Sequence, residues 1–130
     1  MTKRSKKQTI LIVEDDAQAM EVFSLILEEH DYEVVKAGYA LPALFSVMNK
    51  RPDLILADLN MPEMNGVELI GQFKSYVETR DIPIIVVTGS DAPEDREAAF
   101  KAGCADYITK PISTAKFLTQ IEKLLPKRKK

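Results

Sequence analysis

Short runs of apolar, mostly β-branched residues recur along the chain at 10–13, 34–35, 54–57, 84–87 and 105–108, and between them the apolar positions change to a helical period. In the first gap Ala19, Phe23, Ile26 and Leu27, with Met20 and Val22 beside them, form one stripe; after the last run Phe117, Leu118, Ile121, Leu124 and Leu125 form another. Less regular stripes fill the middle gaps: Leu41, Leu44, Phe45 and Met48, then Val67, Ile70, Phe73 and Val77, then Ala98, Ala99 and Ala102. The pattern predicts five strands alternating with five helices. Punctuation agrees: Asp16 can cap the first helix, Asp91 the fourth with Pro93 in its first turn, and Ser113 the last, while Gly103 suits a left-handed stop and Pro126 closes the final helix. Strands apolar on both faces and separated by helices predict a parallel sheet covered on both sides, with right-handed crossovers. The expected fold is a small doubly wound α/β sandwich.

Composition narrows the class. The chain has 130 residues, 45% hydrophobic and 29% charged, which suits one compact domain and argues against a disordered tail or a fibrous repeat. A domain of this size buries roughly 68% of its unfolded surface, enough for a core without staples. Cys104, the single cysteine, cannot form an internal disulfide. The longest apolar run, 82–87, includes Pro83 and is far short of a membrane span. The apolar stretch behind the basic start is too short for a secretory signal, so a cytoplasmic protein is expected. The formal charge of -2 hides an asymmetry: Lys3, Arg4, Lys6 and Lys7 at one end and 127–130 at the other are basic, and 10–125 holds ten basic against twenty acidic side chains, a formal -10. Such tails could touch nucleic acid or anionic lipid, but without interleaved aromatics they read as solvated termini, and nucleic acid is not an expected partner.

In a parallel sheet the residue after each strand lies on one edge, where open sheets bind ligands at the topological switch point. After the first strand come Glu14, Asp15 and Asp16; after the third, Asp58; after the fourth, Thr88; after the fifth, Thr109 and Lys110. With strand order 2-1-3-4-5, Asp15 and Asp58 share a pocket. Crowded carboxylates resist ionising together without a counter-charge. Glu14, Asp15 and Asp58 against Lys110 leave a formal -2, which one divalent cation balances. Oxygen ligands without His or Cys, at a shallow rim with room for water, favour Mg²⁺ over Ca²⁺. A cation beside a carboxylate, a hydroxyl and an ammonium suits phosphoryl chemistry, and the lack of a Gly-rich phosphate loop argues against a nucleotide.

Four motifs then carry a resemblance over nearly all of 10–125: ILIVEDD at 10–16, DLILADLNMPEMNG at 53–66, IIVVTGS at 84–90 and DYITKPI at 106–112. The sequence resembles a receiver domain of a two-component response regulator. The resemblance implies a flavodoxin-like fold in which Asp58 accepts a phosphoryl group from a histidine of a sensor kinase or phosphotransfer protein. It implies that Asp15, Asp58 and the backbone carbonyl of Asn60 bind Mg²⁺ directly, Glu14 through water, and that Lys110 pairs with the phosphate. Thr88 would move toward the phosphoryl oxygens, Tyr107 would turn inward into the space vacated, and a fourth-helix, fifth-strand and fifth-helix face would present the change to a downstream protein. Lys110-Pro111 resembles the family's cis peptide, and Gly89, Ser90, Asn60 and Glu63 are expected to influence phosphoryl lifetime.

The expected organisation is a basic tail at 1–9, a receiver domain at 10–125 and a basic tail at 126–130, acting as a stand-alone receiver, either chemotaxis-like or an intermediate in a phosphorelay, rather than as a classical enzyme. A haloacid-dehalogenase-like phosphohydrolase would also use an aspartate nucleophile, Mg²⁺, a hydroxyl and a lysine. That family resembles a DxD pair after the first strand, whereas here the candidate nucleophile follows the third and Asn60 stands in place of the second acid. A pseudo-receiver that binds partners without phosphorylation usually lacks part of the constellation, and this sequence retains it. Duller roles attach elsewhere: Cys104 as a small buried residue, His30 at a helix end, the Met residues as core or turn filling.

Overall fold

The computed structural model describes residues 7–61 and 64–126 and alternates strand and helix throughout: β1 (Thr9–Val13), α1 (Ala17–Glu29), β2 (Glu33–Ala37), α2 (Ala40–Asn49), β3 (Leu54–Ala57), α3 (Gly66–Ser75), β4 (Ile84–Thr88), α4 (Pro93–Ala102), β5 (Asp106–Thr109) and α5 (Thr114–Leu124). The strands form one parallel sheet in the order β2-β1-β3-β4-β5, the doubly wound arrangement expected from the alternation. Alternate residues of each central strand feed opposite layers. Leu11, Val13, Ile55 and Val86 pack beneath α2, α3 and α4, with Phe73 fully buried among them. Ile10, Ile12, Leu56 and Val87 pack beneath α1 and α5, where the Phe23 and Phe117 rings lie 5.6 Å apart.

Local chemistry places most boundaries as expected. Asp16 accepts from the Ala19 N–H at 3.0 Å and Asn65 from the Glu68 N–H at 2.9 Å. Ser113 caps α5, and Gly103 ends α4 at φ 123°, a conformation a side chain resists. His30 caps the C-terminus of α1 and Cys104 is buried. The Lys110-Pro111 peptide is cis.

Four expectations need correction. Asp91 does not cap α4: Ala92 occupies that position, and the Ser90 hydroxyl instead accepts from the Ala92 N–H at 3.3 Å and donates to Asp95 in the first turn. The third helix stops at Ser75 rather than reaching Val77, because Lys74 Nζ donates to the carbonyls of Arg80 and Ile82, both at 2.9 Å, and Thr79 Oγ1 donates to the Phe73 carbonyl, folding the chain back. On α2 the buried residues are Ala40, Ala43 and Val47, whereas Leu41, Phe45 and Met48 face outward, so Met48 is not core filling. The edge strands are not apolar on both faces: Glu33 and Lys36 of β2 are exposed, and Glu33 pairs with Lys50 at 2.7 Å.

The Gln8 amide donates to the Pro126 carbonyl at 2.8 Å, so the two ends of the described chain meet at the rim where the strands begin. The basic residues Lys3, Arg4, Lys6 and 127–130 lie outside the described residues, as do Pro62 and Glu63. Among the described residues no helix is long and apolar enough to cross a membrane.

Candidate phosphoryl-acceptor site

Val13 of β1 and Ala57 of β3 are paired in register, so the residues that follow them leave adjacent strands at one height. Glu14 and Asp58 therefore emerge side by side, and both are buried, 3% and 7% exposed, while Asp15 beside them is open to solvent. One oxygen each from Glu14, Asp15 and Asp58 lies within 4.8 Å of the others. Lys110, arriving from the end of β5, spans the buried pair: its ammonium donates to Glu14 at 2.8 Å and to Asp58 at 2.9 Å. The second Glu14 oxygen accepts from the Asp16 N–H at 3.1 Å, and the second Asp58 oxygen from the Asn60 N–H at 3.1 Å.

Electrostatics follow from this crowding. Burial raises the Glu14 carboxyl above the usual carboxylate range, with the Lys110 and Asp16 bonds offsetting part of the effect and the Asp58 charge adding to it. Burial by itself would lower the Lys110 ammonium, but its bonds to Glu14 and Asp58 together outweigh that and hold it above the ordinary lysine value. Lys110 is thus a fixed positive charge at neutral pH. Its ammonium also lies 5.9 Å from the centre of the Phe23 ring.

Thr88 and Tyr107 stand on the neighbouring strands β4 and β5. The Thr88 side chain is fully buried and its Oγ1 accepts from the Ser90 N–H at 3.4 Å, while its carbonyl accepts from the Lys110 N–H at 2.7 Å. Tyr107 already occupies the inward position, 6% exposed, donating from its hydroxyl to the Ser90 carbonyl at 2.9 Å. The guanidinium of Arg96 lies 5.6 Å from the Tyr107 ring and 5.0 Å from the Phe100 ring. Burial, more than the Ser90 bond opposes, raises the Tyr107 phenol.

The strand ends thus bring Glu14, Asp15, Asp58 and Lys110 together, and Ser90 links Thr88 to Tyr107 through its amide and carbonyl. That link is invisible in the motif, where Ser90 is expected only to influence phosphoryl lifetime. Phe23 and Gly66 were equally hidden: Phe23 sits in an apolar stripe like any core residue, and Gly66 is a glycine before a helix, yet a Cβ there would lie 2.5 Å from the Asp58 carbonyl oxygen. Three oxygen donors facing one ammonium fit a hard divalent cation.

Comparison with known proteins agrees with this arrangement. The family model described as the response regulator receiver domain matches residues 10–122. The polar-differentiation response regulator DivK of Brucella anthropi is 37% identical over 118 residues, spanning 91% of this chain and 96% of that protein. Among solved structures, a putative response regulator from Chloroflexus aurantiacus superposes with a TM-score of 0.88 at 28% identity, covering 92% of this chain and 98% of that one. Vibrio cholerae chemotaxis protein CheY4 gives 0.87 at 26% identity over 92% and 99%. The receiver domain of a Pseudomonas aeruginosa sensor histidine kinase, solved with a magnesium ion coordinated in its active-site cleft, gives 0.84 at 29% identity over 91% and 97%.

Proposed function

Because the chain belongs to the receiver domains of response regulators, we propose that it is a signalling switch that takes a phosphoryl group onto Asp58 from a phosphohistidine of a sensor kinase or phosphotransfer protein. An Asp58 carboxylate oxygen forms a bond to phosphorus as the phosphorus–nitrogen bond breaks, and the departing imidazole takes up a proton. Hydrolysis of the resulting acyl phosphate returns the carboxylate and inorganic phosphate. The observation that carries this reading is the Lys110 ammonium held between Glu14 and Asp58, beside three carboxylates whose oxygens lie within 4.8 Å.

Asp15, Asp58 and the Asn60 carbonyl would hold Mg²⁺, with Glu14 acting through water. When bound, the cation neutralises charge on the transferring phosphoryl oxygens. Lys110 does the same from the protein side, exchanging its bond to Asp58 for one to the phosphoryl group. The Thr88 hydroxyl donates to a phosphoryl oxygen, and because Ser90 bonds both Thr88 and Tyr107, its movement reaches α4 and β5. The phosphoryl group can shift that equilibrium only by the bonding it adds to one state over the other. The α4, β5 and α5 face then presents the change to a protein target.

The test uses the protein with Mg²⁺ and a small acyl phosphate. Intact mass should rise by one phosphoryl group, sensitive to hydroxylamine and absent from Asp58→Asn. A modified Asp58→Asn protein, or an unmodified wild type, would reject the assignment.

A further inference from the structure

Helix α4 begins without a side-chain cap of its own. Ala92 at the cap position offers no acceptor, and the Ser90 hydroxyl, two residues upstream, accepts from the Ala92 N–H at 3.3 Å in its place. The same hydroxyl donates its hydrogen to Asp95, the third residue of the helix. In an ordinary capping box the side chain at that third position reaches the N–H of the cap residue directly; here Ser90 is interposed. The interposition matters because the backbone of Ser90 is engaged as well. Its N–H donates to Thr88 Oγ1 at 3.4 Å, and its carbonyl accepts from the Tyr107 hydroxyl at 2.9 Å. One residue thus joins the start of α4 to the ends of β4 and β5.

We propose that Asp95 is a positioning residue: by fixing the Ser90 hydroxyl it aims the Ser90 carbonyl at Tyr107 and keeps that ring inward. The bond from the Ala92 N–H to the Ser90 hydroxyl closes a ring that contains the Ser90 carbonyl carbon, so it restrains the torsion on which the carbonyl's direction depends. Asp95 holds that ring closed, because accepting the hydroxyl hydrogen fixes the rotation of the Ser90 side chain. Arg96, the next residue, adds a second contact from the same turn, its guanidinium 5.6 Å from the centre of the Tyr107 ring. For its consequence the inference rests on the phosphoryl-acceptor reading. A Thr88 hydroxyl that accepts from Ser90 still has its hydrogen to give to a phosphoryl oxygen, and any shift it makes then pulls on Ser90 and, through Asp95, on the first turn of α4. The tie needs an acceptor at position 95, not a charge.

The experiment compares initial nitration rates of the four tyrosines by tetranitromethane in the full 130-residue protein, resolved by peptide mass, without Mg²⁺ or phosphate. Tyr39 and Tyr76 are exposed and should react fast, whereas Tyr32 and Tyr107 are buried and should react slowly. Tyr107 reacts through its outward minority, so its rate follows that population. Asp95→Ala and Ser90→Ala should each speed nitration of Tyr107 by about three- to tenfold, the scale of one lost capping bond. The double variant should exceed neither single one, because both remove the same tie. Asp95→Asn, whose amide oxygen still accepts, should keep the wild-type rate, and so should Glu94→Ala, which removes the other acid of that turn. Tyr32, in the opposite layer, should stay slow in every variant. An unchanged Tyr107 rate in Asp95→Ala, additive effects in the double variant, or a Tyr32 rate rising in step with that of Tyr107 would overturn the proposal. So would Asp95→Asn behaving like Asp95→Ala, which would mean that the charge at the helix start acts and the bond does not. No phosphoryl donor is present, so these outcomes stand apart from whether Asp58 takes up phosphate, which acyl-phosphate labelling of the same proteins reads separately.

Discussion

Glu14 commits one oxygen to the Lys110 ammonium and the other to the Asp16 N–H. The residue is thereby fixed as a member of the pocket wall, which suits an indirect, water-mediated part in holding a cation. Cys104 shows the opposite use of burial. Its thiol is pushed up to about 11, first by desolvation and then by the nearby Asp106 charge. At pH 8 the thiolate is therefore about a hundredfold scarcer than in the unfolded chain, and iodoacetamide should modify the native protein at least that much more slowly than the urea-unfolded one. Because the folded state holds this proton more tightly, the associated stability is complete below about pH 9 and is lost as pH rises toward about 11. Urea midpoints should fall more between pH 8 and pH 10.5 for wild type than for Cys104→Ala. Equal falls, or equal alkylation rates, would show that the thiol is not held protonated.

Elements meet the site through their ends. The turn between β3 and α3 presents Asp58, and its closure depends on Gly66, whose N–H donates to the Leu59 carbonyl at 2.8 Å. A Cβ at this position would lie 2.5 Å from the Asp58 carbonyl oxygen and 2.6 Å from Leu59 Cα, both backbone atoms that yield only if the turn moves. Gly66→Ala should therefore cost about 1–3 kcal/mol by overpacking and slow acyl-phosphate labelling of Asp58 by about tenfold or more, since displacing a reacting group by even 1 Å is that costly. Gly71, in the same helix, is the control: nothing lies within 4 Å of an added Cβ, and alanine there should stabilise by about 0.5–1 kcal/mol. Urea unfolding and labelling rates separate the two. Labelling at the wild-type rate in Gly66→Ala would mean that the turn does not position the acceptor.

The strand–helix alternation was legible because buried parallel strands and amphipathic helices differ in period; period does not set the sheet order, which rested on the doubly wound, flavodoxin-like class, and the pocket was legible because every strand but β2 carries its chemistry at the same end. The outward face of α2 was not, since Ala40, Ala43, Leu44 and Val47 form an apolar stripe beside that of Leu41, Phe45 and Met48, and periodicity does not say which one meets the sheet. The end of α3 was hidden because Lys74 and Thr79 close the following turn through bonds that depend on the tertiary fold. What the whole pocket shares is an excess of acid, and this makes its ion linkage testable by stability alone. Lys110→Met leaves Glu14 and Asp58 buried without their cation and should cost about 2–4 kcal/mol in Mg²⁺-free buffer. Asp15→Asn removes an exposed acid and should stay within about 0.5 kcal/mol of wild type there. At about ten times its Kd, Mg²⁺ should stabilise wild type by about 1.4 kcal/mol, a rise of about 4–5 °C in melting temperature for a domain of this size. Lys110→Met should gain at least as much, because the added ion supplies the missing positive charge, whereas Asp15→Asn, lacking one of the proposed ligands, should gain less than about 1 °C. Calorimetry in MgCl₂ against NaCl of matched ionic strength isolates the bound ion from general screening. Equal gains in all three proteins would mean that the cation acts elsewhere and that this cluster does not hold it.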